Sequence, residues 1–380
     1  MKKKVGLITF HNSINYGVFL QAYALQTFIE QAGYEAAIID YNKFTENKKK
    51  KSIAYRIKHL KETLKVLHMI CFLHKKRVKE KEEKFKIFAQ NNFKLSKLMG
   101  TFDDIAREES KYDKFVCGSD QIWNPEYTQG NPVYFLRFTP REKRIAYAPS
   151  FGVEQSSKIL YEYLNKYKLY LSEFSAISVR EKTGQSIIHN FSSISPSVVV
   201  DPTLLLSEKY WQEKSRKVQV KEKKYVLFYV LGDNYLYKKL AKKIATQGRY
   251  AVICIPTNPL WNRLSCVKRY YAGVDEFLYL FKNTEYIITD SFHGTVFSVL
   301  FRKNFSAILR NDTTHSLCSR IEDFLGNIHL QKNCINVSDI LSIDVNSKTN
   351  YDYSVEILET WIYESKEYLK KALSEGNIGE

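Results

Sequence analysis

The chain has 380 residues, 44% of them hydrophobic, and carries a formal net charge of +17. That apolar content is too high for a disordered chain, while 15 Gly and 8 Pro exclude a low-complexity one, and the length favours two domains. No apolar run approaches the roughly eighteen residues of a membrane span. The front, Met-Lys-Lys-Lys-Val-Gly-Leu-Ile-Thr-Phe, reads as a first strand rather than a secretion signal. Six Cys without CxxC or other metal spacing fit reduced thiols in a cytoplasmic protein.

In chain order, Val5–Phe10 reads as a strand, His11–Tyr16 as a polar loop and Gly17–Gln31 as a helix with Leu20, Ala24, Leu25 and Phe28 on one face. Ala36–Asp40 is a second strand. From Lys43 to Lys86 there are 16 Lys and Arg against 5 acidic residues. Within that stretch Ile57, Leu60, Leu64, Leu67, Ile70 and Leu73 recur at helical spacing among Arg56, Lys58, Lys61, Lys65, Lys75 and Lys76. A basic amphipathic helix of this kind either packs on the core with a solvated cationic face or rests on an anionic membrane. No nucleic-acid-binding motif accompanies it, so no nucleic-acid partner is expected. Tyr112–Gly118, Arg144–Ala148, Ala176–Val179 and Val198–Val200 continue the strands, with helical stretches around 156–171 and 181–189.

The charged stretch Glu208–Lys224 reads as a connection between domains. Beyond it strands (Tyr225–Leu231, Tyr250–Ile255, Tyr286–Thr289, Phe305–Leu309) alternate with helices (Tyr235–Gln247, Asp275–Asn283, Gly294–Arg302, and one near Arg320–Leu325). Val355–Ala372 closes the chain as a long amphipathic helix. Strand–helix alternation throughout predicts an α/β fold with parallel sheets. We assign residues 1–207 to an N-terminal Rossmann-like domain carrying a basic insert at 43–97, and 220–345 to a C-terminal one. A last helix, 351–375, packs on the first domain. Two such halves facing each other place a cleft between the C-terminal ends of their strands.

The most informative segment is Ile287–Leu300, an apolar strand end followed by Thr289-Asp290-Ser291-Phe292-His293-Gly294-Thr295 and an apolar helix. A strand–turn–helix of this kind directs backbone N–H groups and a positive helix end at a bound anion. An imidazole beside it can pair with the anion and move protons near neutral pH. The competing reading is a capped helix with a buried structural His. The remaining His (His59, His68, His74, His189, His315, His329) lack paired ligand spacing, and His11 has no partner at coordinating spacing, so no structural metal is expected.

Several segments resemble the polysaccharide pyruvyl transferase family. They are Phe10-His11-Asn12-Ser13-Ile14-Asn15-Tyr16-Gly17 with Leu20–Gln26, Val116–Asn124, Ala146–Gly152, Ser178-Val179-Arg180-Glu181, Asp201-Pro202-Thr203-Leu204-Leu205 and Thr289–Phe301. They run in order over most of the chain, whereas Lys43–Lys81 matches nothing in the family. The resemblance implies a GT-B-like fold of two facing Rossmann-like domains, with a C-terminal helix crossing back to the first. It also implies transfer of a pyruvyl group from phosphoenolpyruvate to a sugar, as a ketal, with release of phosphate and no cofactor. The implied acceptor is a bacterial surface polysaccharide unit, often on a lipid carrier, which would bring the enzyme to the inner face of the cytoplasmic membrane.

For such a donor, the helix start at Ser291, Gly294 and Thr295 suits phosphate, and a carboxylate calls for the planar fork of Arg. Some family members carry an Arg two positions before the motif His, where this chain has Ser291. Arg180, at a strand end, is the leading carboxylate clamp, with Arg310 and Arg320 as alternatives. His293 is the acid/base candidate and Asp290 a carboxylate to orient it. Asp120, with Gly118 and Ser119 at a strand end of the first domain, faces the acceptor, as do Asn12, Asn15 and Tyr16. Asp201, before Pro202, reads as a turn residue near the hinge. Two rival functions use the same fold: a nucleotide-sugar glycosyltransferase, with Tyr270, Tyr271 and Glu276 around the nucleotide, and a non-catalytic sugar- or membrane-binding relative.

Overall fold

The computed structural model describes residues 2–41, 64–222, 224–257, 261, 264–310 and 316–374, with side chains placed from residue 76 and from residue 318 in the helices that begin at 64 and 316. Two six-stranded sheets organise the described residues. The first holds β1 (Lys4–Ile8), β2 (Glu35–Ile38), β3 (Lys114–Cys117), β4 (Arg144–Ala146), β5 (Ala176–Val179) and β6 (Ser197–Val198) in the order β2-β1-β3-β4-β5-β6. The second holds β7 (Tyr225–Tyr229), β8 (Ala251–Cys254), β9 (Val267–Arg269), β10 (Tyr286–Thr289), β11 (Asn304–Leu309) and β12 (Cys334–Asn336) in the order β12-β11-β10-β7-β8-β9. Every pairing is parallel. Central strands such as β7, Tyr-Val-Leu-Phe-Tyr, are buried along their whole length, as sheets covered by helices on both faces require.

The last helix, Ser354–Ser374, returns to the first sheet. Its Trp361 Nε1 donates to Val198 O at 2.9 Å, its Ser365 Oγ accepts from Val200 N at 3.0 Å, and its Tyr368 hydroxyl donates to Ala146 O at 3.2 Å. Two facing Rossmann-like halves joined this way form a GT-B fold.

The halves meet along an aromatic seam. At the start of the first helix, Tyr16–Gln31, the Tyr16 ring stacks on Phe277 of the second half with centroids 4.4 Å apart. Its hydroxyl donates to Ala272 O at 2.6 Å. Trp211 is fully buried between Tyr23 and Tyr210 on one side and Phe297 on the other, with its Nε1 bonded to Thr203 O at 2.9 Å.

The charged stretch after Leu206 opens as a helix, Glu208–Lys214, capped by Ser207. Its charges face water while Trp211 inserts into the seam. Two edge strands, β9 and β12, were not expected; with three residues each they are too short to show a period. The first part of the expected basic helix, residues 42–63, lies outside the described residues, as do the side chains of Lys65 and Lys75. The helix Leu64–Asn92 packs on the core through Phe85 and Phe88, with Phe93 just beyond its end, and its Lys84 pairs with Glu276 of the second half at 2.7 Å. Trp211→Ala should lower unfolding free energy by about 3–5 kcal/mol, measured by urea denaturation, because no small residue fills the space between the two halves.

Candidate active site

Parallel strands deliver side chains to the cleft at their C-terminal ends, and four acidic or basic groups of the first half arrive there. Arg180 and Glu181 follow β5, Asp201 follows β6, and Asp120 follows β3, at a φ of 66° that an Asp side chain tolerates. From the second half come Phe292 and His293, opening the helix Phe292–Leu300 after β10, and Arg320 on the helix Ser316–Asn327.

Arg180 is the centre of this group. Its side chain is 1% exposed, and its Nη1 donates to Asp201 Oδ2 at 3.0 Å. Nε lies 3.6 Å from Glu181 Oε2 and Nη2 lies 3.9 Å from Asp120 Oδ1, ion-pair distances without hydrogen-bond geometry. The guanidinium rests on the Phe292 ring at 4.4 Å, and that of Arg320 stands 5.9 Å from the same ring. Burial, together with the neighbouring charge of Arg180, lowers the Arg320 guanidinium to about 10.

Asp201 divides its two oxygens between two tasks. Oδ1 accepts from Thr203 N at 3.0 Å and Thr203 Oγ1 at 2.8 Å, closing the turn before Pro202. Oδ2 serves Arg180 and stands 3.3 Å from His293 Nε2. Burial alone would raise this carboxyl, but the His293 imidazole and the Arg180 guanidinium outweigh it and hold Asp201 well below the usual carboxylate range. On the other edge of the imidazole, a Cβ at Gly17 would fall 2.0 Å from Nδ1, so only glycine lets the first helix pass.

Burial raises the Glu181 carboxyl despite Arg180 and despite a 2.5 Å bond from Ser150 Oγ. Among the described residues, Arg180 Nε and Nη2, Arg320 Nε and His293 Nε2 are buried with no hydrogen-bond partner. Such donors call for an anion. No group of three or more His, Cys, Asp or Glu among the described residues could hold a metal ion.

The model of the family described as polysaccharide pyruvyl transferase matches residues 15–312. The chain belongs to that family. None of the curated proteins compared with it matches. Among solved structures it is similar to a Staphylococcus aureus MnaA–UDP complex (14% identity, 100% of each chain covered, TM-score 0.55). It is also similar to UDP-GlcNAc 2-epimerase from Methanocaldococcus jannaschii (14% identity, 96% of this chain and 100% of that one, TM-score 0.51). A third likeness is to UDP-N-acetylglucosamine 2-epimerase from Rickettsia bellii (8% identity, 98% of each chain, TM-score 0.51). At these identities the likeness is one of fold.

Of the residues singled out in sequence, this pyruvyl transferase family member brings Asp120, Arg180, His293 and Arg320 into one cluster. Asp290 is elsewhere. Its carboxylate accepts from Leu231 N at 2.6 Å, Gly232 N at 2.9 Å and the Tyr237 hydroxyl at 2.9 Å, with Arg310 Nε 3.9 Å away. It organises the loop after β7, and the carboxylate beside His293 is Asp201 instead.

The helix start is also spent internally. Ser291 Oγ caps Gly294 N at 3.3 Å, and Thr295 Oγ1 donates to Ser291 O at 3.0 Å. A Cβ at Gly294 would meet Thr289 Oγ1 at 2.2 Å, so this glycine lets the helix pack on its own sheet rather than a ligand approach. Gly118 and Ser119 are buried: Ser119 Oγ lies 2.8 Å from Ala148 O and 3.4 Å from Asp201 Oδ2, and a Cβ at Gly118 would meet Tyr147 O at 2.0 Å. Asn12 is exposed in the loop after β1, Asn15 caps the first helix, and Tyr16 belongs to the seam. Asp201, Glu181 and Phe292 were missed as site residues; the signal for Asp201 was the Asp-Pro-Thr turn, which accounts for only one of its oxygens.

A carboxyl held low in the native state stabilises the fold above its unfolded value of about 4, and the contribution is lost as pH falls from there through the native value. The wild-type protein should therefore lose stability on acidification below about pH 4. Asp201→Asn should be less stable at neutral pH by about 3 kcal/mol, with a shallower acid decline, in urea denaturation across that range.

Proposed function

We propose that the protein transfers the pyruvyl group of phosphoenolpyruvate to two hydroxyls of a sugar, forming a cyclic ketal and releasing phosphate. The observation that carries this reading is the set of buried guanidinium nitrogens without a hydrogen bond, Nε and Nη2 of Arg180 and Nε of Arg320, contributed by both halves. A small ligand with a phosphate and a carboxylate gives two guanidinium groups the oxygens they lack. Family membership supports the same reaction class.

In this reaction one acceptor oxygen adds to the substituted enol carbon while the methylene carbon takes up a proton and becomes a methyl group. The second acceptor oxygen then displaces phosphate from that carbon, and its proton leaves with the phosphate. His293 stands 3.3 Å from Asp201 Oδ2, where its imidazole can exchange a proton with the substrate. Arg180 and Arg320 neutralise the donor, with the Phe292 ring 4.4 Å from the first guanidinium and 5.9 Å from the second.

In this reading the acceptor is a unit of a surface polysaccharide carried on a lipid, and the basic stretch 43–86 meets the anionic face of the membrane. No helix among the described residues is long and apolar enough to cross it. A nucleotide-sugar transferase would need a free carboxylate for the ribose. Glu276, the sequence candidate, is taken by Lys84 at 2.7 Å and Arg216 at 2.8 Å.

His293→Ala should fold normally and release phosphate from phosphoenolpyruvate, in the presence of acceptor, about two to four orders of magnitude more slowly. An unchanged rate removes His293 from proton transfer. Arg180→Lys should weaken phosphoenolpyruvate binding markedly in calorimetry, since a point charge cannot reproduce a two-pronged contact. Equal affinity would shift the carboxylate contact to Arg320.

A further inference from the structure

Lys81 is a buried cation that the cluster around Arg180 does not use. It lies on the helix Leu64–Asn92, is 6% exposed, and its ammonium sits 4.4 Å from the Tyr16 ring centroid and 5.5 Å from that of Phe85. Among the described residues it makes no ion pair or hydrogen bond, and burial lowers it to about 8. Buried lysines without a carboxylate are costly, and two aromatic faces return only part of the lost hydration.

Lys81 lines a cavity of about 320 Å³ between the halves, walled also by Asn15, Tyr16, Tyr229, Thr257 and Tyr271, with aliphatic side chains between them. Its position ties it to the reaction centre. Tyr16 precedes Gly17, which lies against His293, and Tyr229 at the end of β7 accepts through its carbonyl from Thr289 Oγ1 at 2.7 Å, four residues before that histidine. Arg77, over the Tyr271 ring at 5.8 Å, adds positive charge nearby.

We propose that this cavity is an anion subsite in which Lys81 binds a phosphoryl or carboxylate group of the acceptor. Assigning the group to the acceptor rests on the pyruvyl transfer reading; the presence of an anion subsite does not. The ammonium supplies charge and up to three donors, and the aromatic walls suit a sugar ring.

The test is calorimetric titration of the full-length protein and its Lys81→Met, Lys81→Arg and Arg180→Lys variants with glucose 1-phosphate, glucuronate and phosphoenolpyruvate separately. A lost charge-assisted contact should weaken the bound probe about tenfold or more in Lys81→Met. Lys81→Arg should stay within about threefold of wild type, and Arg180→Lys should bind the probe as wild type does. Weakening with glucose 1-phosphate identifies a phosphoryl group, and with glucuronate a carboxylate. Phosphoenolpyruvate affinity should be unchanged in Lys81→Met.

Removing an unpaired buried charge should also leave melting temperature equal or higher. A Lys81→Met protein with wild-type affinity for both sugar probes overturns the proposal. So does one that loses phosphoenolpyruvate in parallel, which would place Lys81 in the donor site. If wild-type protein neither binds nor consumes phosphoenolpyruvate but still binds a sugar probe through Lys81, pyruvyl transfer fails and the anion subsite stands.

Discussion

A carboxylate shut away from water, Asp201, sets the terms for everything around it. Taking such a charge out of solvent costs several kcal/mol, and the cost is met only if cations and donors are held at close range in fixed directions. Arg180 supplies one, Thr203 two donors and His293 a further partner, so the ends of β5 and β6 and the helix after β10 must converge on one point. Removing Arg180 would leave Asp201 charged and dry. Arg180, for its part, draws on Asp120 and Glu181 as well.

Around that point the architecture is made of stiff contacts. The Ser291 cap, the Thr295 hydroxyl and the close packing of Gly294 on Thr289 lock the first turn of the helix that carries His293. Asp290 pins the neighbouring loop instead of the imidazole. The aromatic seam of Tyr16, Trp211, Phe277 and Phe297 holds the halves at the separation this arrangement needs. Rigid supports of this type let a few donors remain unsatisfied without the site collapsing on itself.

Much of this is legible in the sequence because it depends on local pattern. Apolar strand runs, amphipathic helices and their alternation predict two parallel α/β halves, and the motif around His293 marks a strand–turn–helix junction. What escapes is decided by contacts distant in the chain. Nothing local distinguishes Asp290 from Asp201 as the partner of His293, since 92 residues separate Asp201 from the imidazole beside it. The helix Glu208–Lys214 is masked by its charges, although Ser207 caps it and Trp211 gives it a buried face. Lys81 is likewise lost in a run of lysines; only its burial against Tyr16 and Phe85 sets it apart.

Both edges of the His293 ring are set by the opposite half of the molecule, Gly17 behind Nδ1 and Asp201 in front of Nε2. The imidazole therefore depends on both halves at once. A misplacement of about 1 Å can cost a hundredfold in rate. Loosening of the seam would consequently silence turnover while each sheet remained folded, so heat or mild denaturant should inactivate the protein in a step that precedes the loss of its secondary structure.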